Sequence, residues 1–288
     1  MNDIQIIGRG YLGTLLSRAI NCDHHPLSLD CRPEKLIESF RVLIIASGPS
    51  SASINDEEAR IFERKLIIFL KNIKISNKNI HIIYISSGGT VYGEGTGIPF
   101  KESNKTQFFS AYSKYHIKAE RLIKNSHNGP VTTIRLSNAY GPSQLFKIKQ
   151  GFISAVVRSA IMKQTLTIYG NGDCIRDYIH ECDIKSAIKT VVHKPIEGTF
   201  NLSTGTGTTQ KEIIRTVEEI FKTKIKVEYL PTRSCDLETN ILCPDLFKET
   251  FNWNHHFEVR EGIESYGVLP ASPKEAIELI SNRTLATH

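Results

Sequence analysis

The feature that most constrains this chain is a strand, a glycine loop and a helix in immediate succession near its start. Residues 4–8 (IQIIG) read as a buried strand, and Leu12, Leu15, Leu16, Ala19 and Ile20 then recur at helical spacing. Between them Gly8, Gly10 and Gly13 form a GxGxxG loop. Without side chains the backbone can turn tightly and come close to a pyrophosphate, whose charge is favoured at the positive end of the helix. Tyr11, Leu12 and Ala46 join the three glycines as expected cofactor-binding positions. Asp30, 17 residues beyond Gly13, closes a short strand LSLD (27–30). Its carboxylate could accept from the adenosine ribose hydroxyls, which points to NAD because a 2′-phosphate would face a like charge. Arg9 and Arg32 leave NADP open.

Downstream, strands and helices alternate. PEKLIESF reads as a short helix opened by Pro33, and VLIIA (42–46) as a continuous apolar strand. Ala59, Phe62, Leu66, Phe69 and Ile73 mark one face of a long helix. HIIYIS (81–86) is a strand, 112–124 a helix and VTTIRL (131–136) a strand. Strands apolar on both faces between helices predict an α/β fold: a Rossmann-type parallel sheet with helices on both faces. Only 11 residues separate Asp30 from Val42, too few for the extra strand and helix usual at that point, so the sheet is possibly one strand short.

Past residue 142 the rhythm loosens: a helix at 152–162, a loop-rich IYGNGDCIRDYIH, a helix over 182–193 and a strand TFNLS. Thr209 and Glu212 form a capping box for a helix carrying Ile213, Ile214, Val217 and Ile220. The expected organisation is a dinucleotide-binding domain over 1–141 and about 175–202. A smaller, mostly C-terminal α/β substrate lobe takes about 142–174 and 203–288, with the ligand cleft between the two.

Composition excludes several classes. No apolar run approaches the roughly 18–20 residues of a membrane span, and the polar start carries no secretion pattern. The six cysteines are widely spaced, without a CxxC pair or histidines at zinc-ligand spacing, so free thiols, no metal site and a cytoplasmic location are expected. The net charge of +6 is scattered, LKNIKISNKNIH included, and no nucleic-acid motif accompanies it. Partners are therefore expected to include no nucleic acid and no membrane, while a basic cleft would suit an anionic substrate.

Four further segments carry a resemblance: YISSGGTVYGE (84–94), AYSKYHIKAE (111–120), RLSNAYGP (135–142) and GNGDCIRDYIHECDI (170–184). With the glycine loop in front, their order and spacing resemble the extended short-chain dehydrogenase/reductase family of nucleotide-sugar epimerases, dehydratases and reductases. In that family a tyrosine, a lysine four residues on and a nearby Ser or Thr move a proton at the sugar while hydride passes to or from the nicotinamide. The lysine charge lowers the tyrosine pKa, because a phenol near pKa 10 is a poor base at neutral pH. The lysine also holds the nicotinamide ribose, so the resemblance implies cofactor contact for both the tyrosine position (Tyr112) and the lysine position (His116). Tyr112 falls at the tyrosine position, with Glu120 at its usual offset. The lysine position holds His116, a shorter and often neutral side chain on the same helix face. Either His116 performs a weakened version of the lysine role, or activity is reduced or redirected. Where relatives place the hydroxyl stands Gly88, flanked by Ser87 and Thr90, either of which could bond the sugar oxygen.

The resemblance further implies Asn138 near the substrate diphosphate, Arg176 and Arg233 as clamps on it, and Asp236 near a ribose. Arg176 has Asp177 and Asp183 as alternative ion-pair partners. The helices 56–73 and 112–126 resemble those that pair in a homodimer. Dehydratases of the family carry an Asp-Glu pair where this chain has Gly89 and Thr90, which argues against dehydration. The expected function is an NAD-dependent nucleotide-sugar epimerase, most simply at C4 of a UDP- or dTDP-sugar. The alternatives are a reductase of a nucleotide-linked 4-keto-6-deoxy sugar and a catalytically weakened binding protein.

Overall fold

The computed structural model describes residues 3–20, 26–31, 40–76, 80–145 and 151–268. The expected helix after Pro33, together with Arg32 and Cys22, lies outside these residues. Five strands form a wholly parallel sheet: β1 (Ile4–Ile7), β2 (Val42–Ile45), β3 (His81–Ser87), β4 (Val131–Leu136) and β8 (Gly198–Leu202), in that spatial order. Leu27 adds a single parallel bridge to Ile7 on the far side of β1, where a longer LSLD strand was expected. Among the described residues, nothing pairs beyond it; residues 32–39, on which the expectation of a sheet one strand short turned, lie outside them.

Alternation along the strands explains the two helical layers. Ile4, Ile6, Ile44, Ile83, Ile85 and Ile134 face one side, where they pack on α1 (Tyr11–Ala19), α6 (Glu181–His193) and α8 (Asp245–Phe251). Ile7, Leu43, Ile45, Ile82 and Tyr84 face the other, against α2 (Asp56–Ser76) and α4 (Ala111–Ser126). A short α3 (Gly88–Val91) follows β3 directly. With both faces covered, the sheet is buried apart from the C-terminal residue of β3 and the start of β8, and every parallel strand ends on the same side.

After β4 the chain leaves the sheet. Ser137 N–H still bonds Leu202 O (3.0 Å), but β5 (Asn138–Tyr140) pairs instead with β7 (Ile175–His180) in a second, smaller sheet. There β11 (Thr239–Asn240) runs parallel to β7, and β9 (Gly207–Thr209) antiparallel to it. A separate parallel pair joins β6 (Leu166–Tyr169) to β10 (Val227–Leu230). A third apolar cluster unites these with α5 (Phe152–Met162), α7 (Gln210–Phe221) and α9 (Val259–Glu264), through Val156, Val157, Ile168, Ile213, Val217 and Ile263. The capping box that opens α7 is present as expected: Thr209 Oγ1 accepts from Glu212 N–H at 3.1 Å, and Glu212 accepts from Thr209 N–H at 2.7 Å.

Candidate active site

The candidate site gathers at the C-terminal ends of the parallel strands, where an open α/β sheet receives ligands. β1 ends in Gly8, whose φ of +130° only glycine adopts readily; a Cβ there would stand 2.2 Å from Ala46 O. A Cβ on Gly13 would stand 1.8 Å from Gly8 O, so α1 can seat on the strand end only through a glycine. Gly10 is different. Its φ is an ordinary −76°, and a Cβ there would meet nothing within 4 Å. Internal packing therefore does not require that glycine, whereas a group approaching the N-terminus of α1 from outside would. This open cradle fits a pyrophosphate.

The flanking positions differ in what they offer. Tyr11 is 7% exposed, and its hydroxyl donates to Glu181 Oε2 at 3.0 Å; the side chain fastens the loop to α6 rather than lining the cleft. Leu12 packs against the sheet core. Ala46 bonds Ile7 O through its N–H (2.8 Å), directly beneath Gly8. Asp30 stays exposed and pairs with Lys65 Nζ at 2.9 Å, a cation absent from the sequence reading of this corner.

On the other side of the strand ends, a Ser110–Ser113 capping box opens α4 and sets Tyr112 in its first turn. Ser87, at the end of β3, hydrogen-bonds the Tyr112 hydroxyl, and Thr90 Oγ1 donates to Ser87 Oγ at 3.3 Å. The three hydroxyls thus form one chain, with Ser87 next to the phenol and Thr90 one step behind. Burial raises the Tyr112 pKa, and the Ser87 hydrogen bond only partly offsets it. Gly88 is a glycine for packing reasons, since a Cβ would stand 2.3 Å from Leu242 Cδ1.

His116 lies on the same helix face, with its ring centroid 4.6 Å from that of Tyr112. It is 5% exposed, its Nδ1 is 2.9 Å from Tyr84 Oη, and burial pushes its pKa down to about 3. The imidazole is therefore neutral at physiological pH and cannot supply the lysine charge. Nor do the neighbouring lysines replace it: Lys114 pairs with Asp56 and Lys118 with Glu63, both on α2.

A buried polar network holds α4 in place. Glu120 accepts from Arg135 Nε (3.1 Å) and Nη2 (2.7 Å) and from Ser86 Oγ (2.6 Å). Arg135 Nη1 donates to Tyr92 Oη (2.9 Å), which donates to Asn201 Oδ1 (2.7 Å). Burial works against the Arg135 charge, but Glu120 outweighs it and raises the pKa. This network ties β3, α4, β4 and β8 together beneath the hydroxyls.

Toward the smaller sheet, Asn138 Nδ2 donates to Asp177 O at 2.9 Å, and its amide faces Gly89. Arg176 pairs with neither Asp177 nor Asp183. Its guanidinium donates to the carbonyls of Ile175 (2.8 Å), Leu237 (2.5 Å) and Glu238 (3.2 Å). Arg233 forms a forked pair with Asp236 (2.9 and 2.7 Å) and lies 4.1 Å over the Tyr169 ring. Burial would raise the Asp236 pKa, but Arg233 holds it below the usual value.

Sequence reasoning missed two anchors here. Asp177 is 0% exposed and accepts from the Thr204, Gly205 and Leu242 N–H groups and the Thr204 hydroxyl; burial pushes its pKa up to about 6 against those bonds. Asp183 accepts from His256 and Phe257 N–H (2.9 and 3.1 Å). A carboxylate inside an otherwise apolar strand was the available signal for the first. Among the described residues no cluster of metal-ligating side chains occurs, and no helix is long and apolar enough to cross a membrane.

Comparison with known proteins places this geometry in a family. The chain is 32% identical over 156 residues to the dTDP-4-dehydro-6-deoxyglucose reductase of Escherichia coli, covering 53% of this chain and 49% of that protein. It spans about two-fifths to just under two-thirds of the length of the curated relatives it matches. Its fold is similar to that of the UDP-glucose 4-epimerase of Thermotoga maritima solved with UDP-glucose (TM-score 0.80, 21% identity, 92% of this chain and 97% of that one). MoeE5, solved in complex with UDP-glucuronic acid and NAD, is similarly close (TM-score 0.81, 17% identity, 96% and 100%). The GDP-mannose 4,6 dehydratase family profile matches residues 65–266, well over half of the sequence, and the chain belongs to that family, within the extended short-chain dehydrogenase/reductases.

Proposed function

We propose that this chain binds a nicotinamide dinucleotide, NAD or NADP, and uses it to reduce a keto group on a nucleotide-linked sugar. One observation carries the direction of the reaction. Among the described residues the Tyr112 phenol has no cation beside it, since His116 is buried and neutral, so it stays protonated at neutral pH. A protonated phenol is the form needed to give a proton to a carbonyl oxygen; alcohol oxidation would need the phenolate.

The cradle at Gly8, Gly10 and Gly13 receives the pyrophosphate, and Asp30 with Lys65 meets the adenosine ribose. When bound, the dinucleotide supplies hydride to the carbonyl carbon. Tyr112 gives its proton to the carbonyl oxygen, so carbonyl becomes alcohol. Ser87 hydrogen-bonds that tyrosine and shares the sugar oxygen, while Thr90 orients Ser87. Asn138, Arg176, Arg233 and Asp236 line the nucleotide side. For the two arginines to grip a diphosphate, Arg176 must exchange a backbone carbonyl and Arg233 its Asp236 pairing for phosphate, an exchange favoured by bidentate geometry. The similarity to a dTDP-4-dehydro-6-deoxyglucose reductase supports a 4-keto-6-deoxy sugar as the substrate class.

A second reading is the C4 epimerase. It is favoured by the double glycine of SSGGTVYG, which resembles that of related epimerases, while Gly89 and Thr90 stand where dehydratases carry their acid–base carboxylates. Assaying NADH and NADPH consumption with a panel of UDP- and dTDP-linked keto sugars separates the two. Reduction consumes cofactor in step with sugar, whereas epimerisation interconverts sugars without net consumption. Tyr112→Phe should lower the rate by roughly 10²–10⁴ while sparing cofactor affinity; full activity in that variant would remove the tyrosine from the mechanism. We further propose a cytoplasmic homodimer pairing through α2 and α4, where Ile61 and Ile68 are 43% and 60% exposed on α2.

A further inference from the structure

Two consecutive peptide units, in the segment that leads from Asp236 into β11, are gripped from both sides by opposite charges. The Arg176 guanidinium donates to the carbonyls of Leu237 (Nη2, 2.5 Å) and Glu238 (Nη1, 3.2 Å). The Glu94 carboxylate accepts from the N–H groups of Glu238 (Oε2, 2.7 Å) and Thr239 (Oε1, 2.7 Å). In a trans peptide the C=O and N–H point opposite ways, so Arg176 and Glu94 stand on opposite flanks of the same two units. Successive N–H groups turned to one side form a concavity that binds an anion, and here a carboxylate of the chain itself fills it. Charge-assisted bonds of this kind are roughly twice as strong as neutral ones.

Glu94 stands where two halves of the site meet. It follows Gly93, whose N–H bonds Thr90 O (3.2 Å) and closes the short turn that begins at Ser87. Gly95 N–H bonds Thr239 O (2.9 Å), and a Cβ there would stand 2.8 Å from that oxygen, so the two backbones lie in contact. Upstream, Pro231–Ser234 are exposed, and Arg233 and Asp236 close a tight turn, with Asp236 N–H bonding Arg233 O (3.0 Å). That turn hangs between β10 and the gripped peptides. Leu237, 2% exposed, and the Ile175 N–H bond to Glu238 O (2.8 Å) anchor it as well, so loss of the grip loosens the turn without releasing it. We propose that Glu94 is a positioning residue for the nucleotide: it holds the 233–236 turn over the nucleotide side of the cleft, and keeps it there while Arg176 leaves the carbonyl flank for a diphosphate. The inference rests on the nucleotide-sugar reading above. Glu94 acts through Arg233 and Asp236 and touches no substrate atom itself.

Glu94→Gln tests this with little change of shape, because one backbone N–H then faces a side-chain NH₂ donor instead of an acceptor. Calorimetry on NADH-saturated protein with UDP, dTDP, GDP and ADP should show the best-bound diphosphate held roughly five- to tenfold more weakly by the variant. NADH affinity, followed by fluorescence, should stay unchanged. The losses from Glu94→Gln and Arg233→Ala should be less than additive in the double variant, since one acts through the other. Hydrogen exchange should show the amides of 238 and 239 protected in the wild type and exchanging roughly fivefold faster in Glu94→Gln. Unchanged nucleotide affinity overturns the inference, as do full additivity with Arg233→Ala and an equal loss of NADH affinity, which would mark general damage. Should the variant not fold, wild-type exchange still decides, because unprotected amides at 238 and 239 overturn the grip. A wild type that binds none of the four diphosphates refutes the nucleotide reading and the positioning role with it, while the grip itself is read independently from exchange.

Discussion

Replacing His116 by Gln should change how stability depends on pH, because the folded state refuses a proton that the unfolded chain accepts. The groups facing His116 are the phenols of Tyr84 on β3 and of Tyr112 and Tyr115 on its own helix, and Glu120 is committed to Arg135 and Ser86. Among the described residues no carboxylate therefore offsets the cost of burying an imidazolium, and burial takes the folded pKa to about 3. Unfolded, the histidine titrates near its reference value of about 6.5. Below that value the unfolded state binds more protons, so stability falls as pH drops and is independent of this group at higher pH. Between about pH 8 and about pH 5 the difference is about 2 kcal/mol.

His180, pushed down to about 4 by burial, acts in the same direction. Asp177, raised to about 6, acts oppositely, stabilising the fold as pH falls through that range. Both are common to the two proteins, so the comparison isolates His116. Urea unfolding of wild type and His116→Gln at the two pH values measures it. The wild type should lose about 2 kcal/mol more than the variant on acidification. Parallel losses would show that His116 takes up protons freely in the folded protein, and the neutral-imidazole argument would fail.

Other consequences can be checked on separate variants. Gly10→Ala should leave Tm unchanged yet weaken dinucleotide binding roughly tenfold, whereas Gly13→Ala should destabilise on the order of 3 kcal/mol, because its methyl meets the Gly8 carbonyl. Glu120→Gln leaves the Arg135 charge buried without its partner and should cost about 3–5 kcal/mol by urea unfolding. The double variant Glu120→Gln/Arg135→Met should cost less than Glu120→Gln alone. Asp30→Ser removes the carboxylate and frees Lys65, so the affinity ratio of NADPH to NADH should rise by about tenfold; an unchanged ratio would take this pair out of cofactor choice.

The parts legible in the sequence were those with a local signature. The strand–glycine–helix start, the alternation of apolar strands with helices, and the Thr209–Glu212 box each depend on residues close together in the chain. What was not legible depends on partners far apart. Nothing near AYSKYHIKAE says that His116 is buried against Tyr84, 32 residues earlier. Arg176 looked like a partner for Asp177, its neighbour, but adjacent strand residues face opposite ways. Its guanidinium reaches the carbonyls of 237 and 238 instead, and Asp177 takes the loop N–H groups of 204, 205 and 242. Asp30 likewise gained Lys65 from across the sheet edge.

The central claim is that Tyr112 works as a proton donor beside a neutral histidine. It is tested most directly by incubating the purified protein with NADH or NADPH and nucleotide-linked 4-keto-6-deoxy sugars, following nicotinamide absorbance and the sugar product together. The account predicts one cofactor oxidised per keto sugar reduced. Interconversion of two sugars with no net loss of cofactor would contradict it.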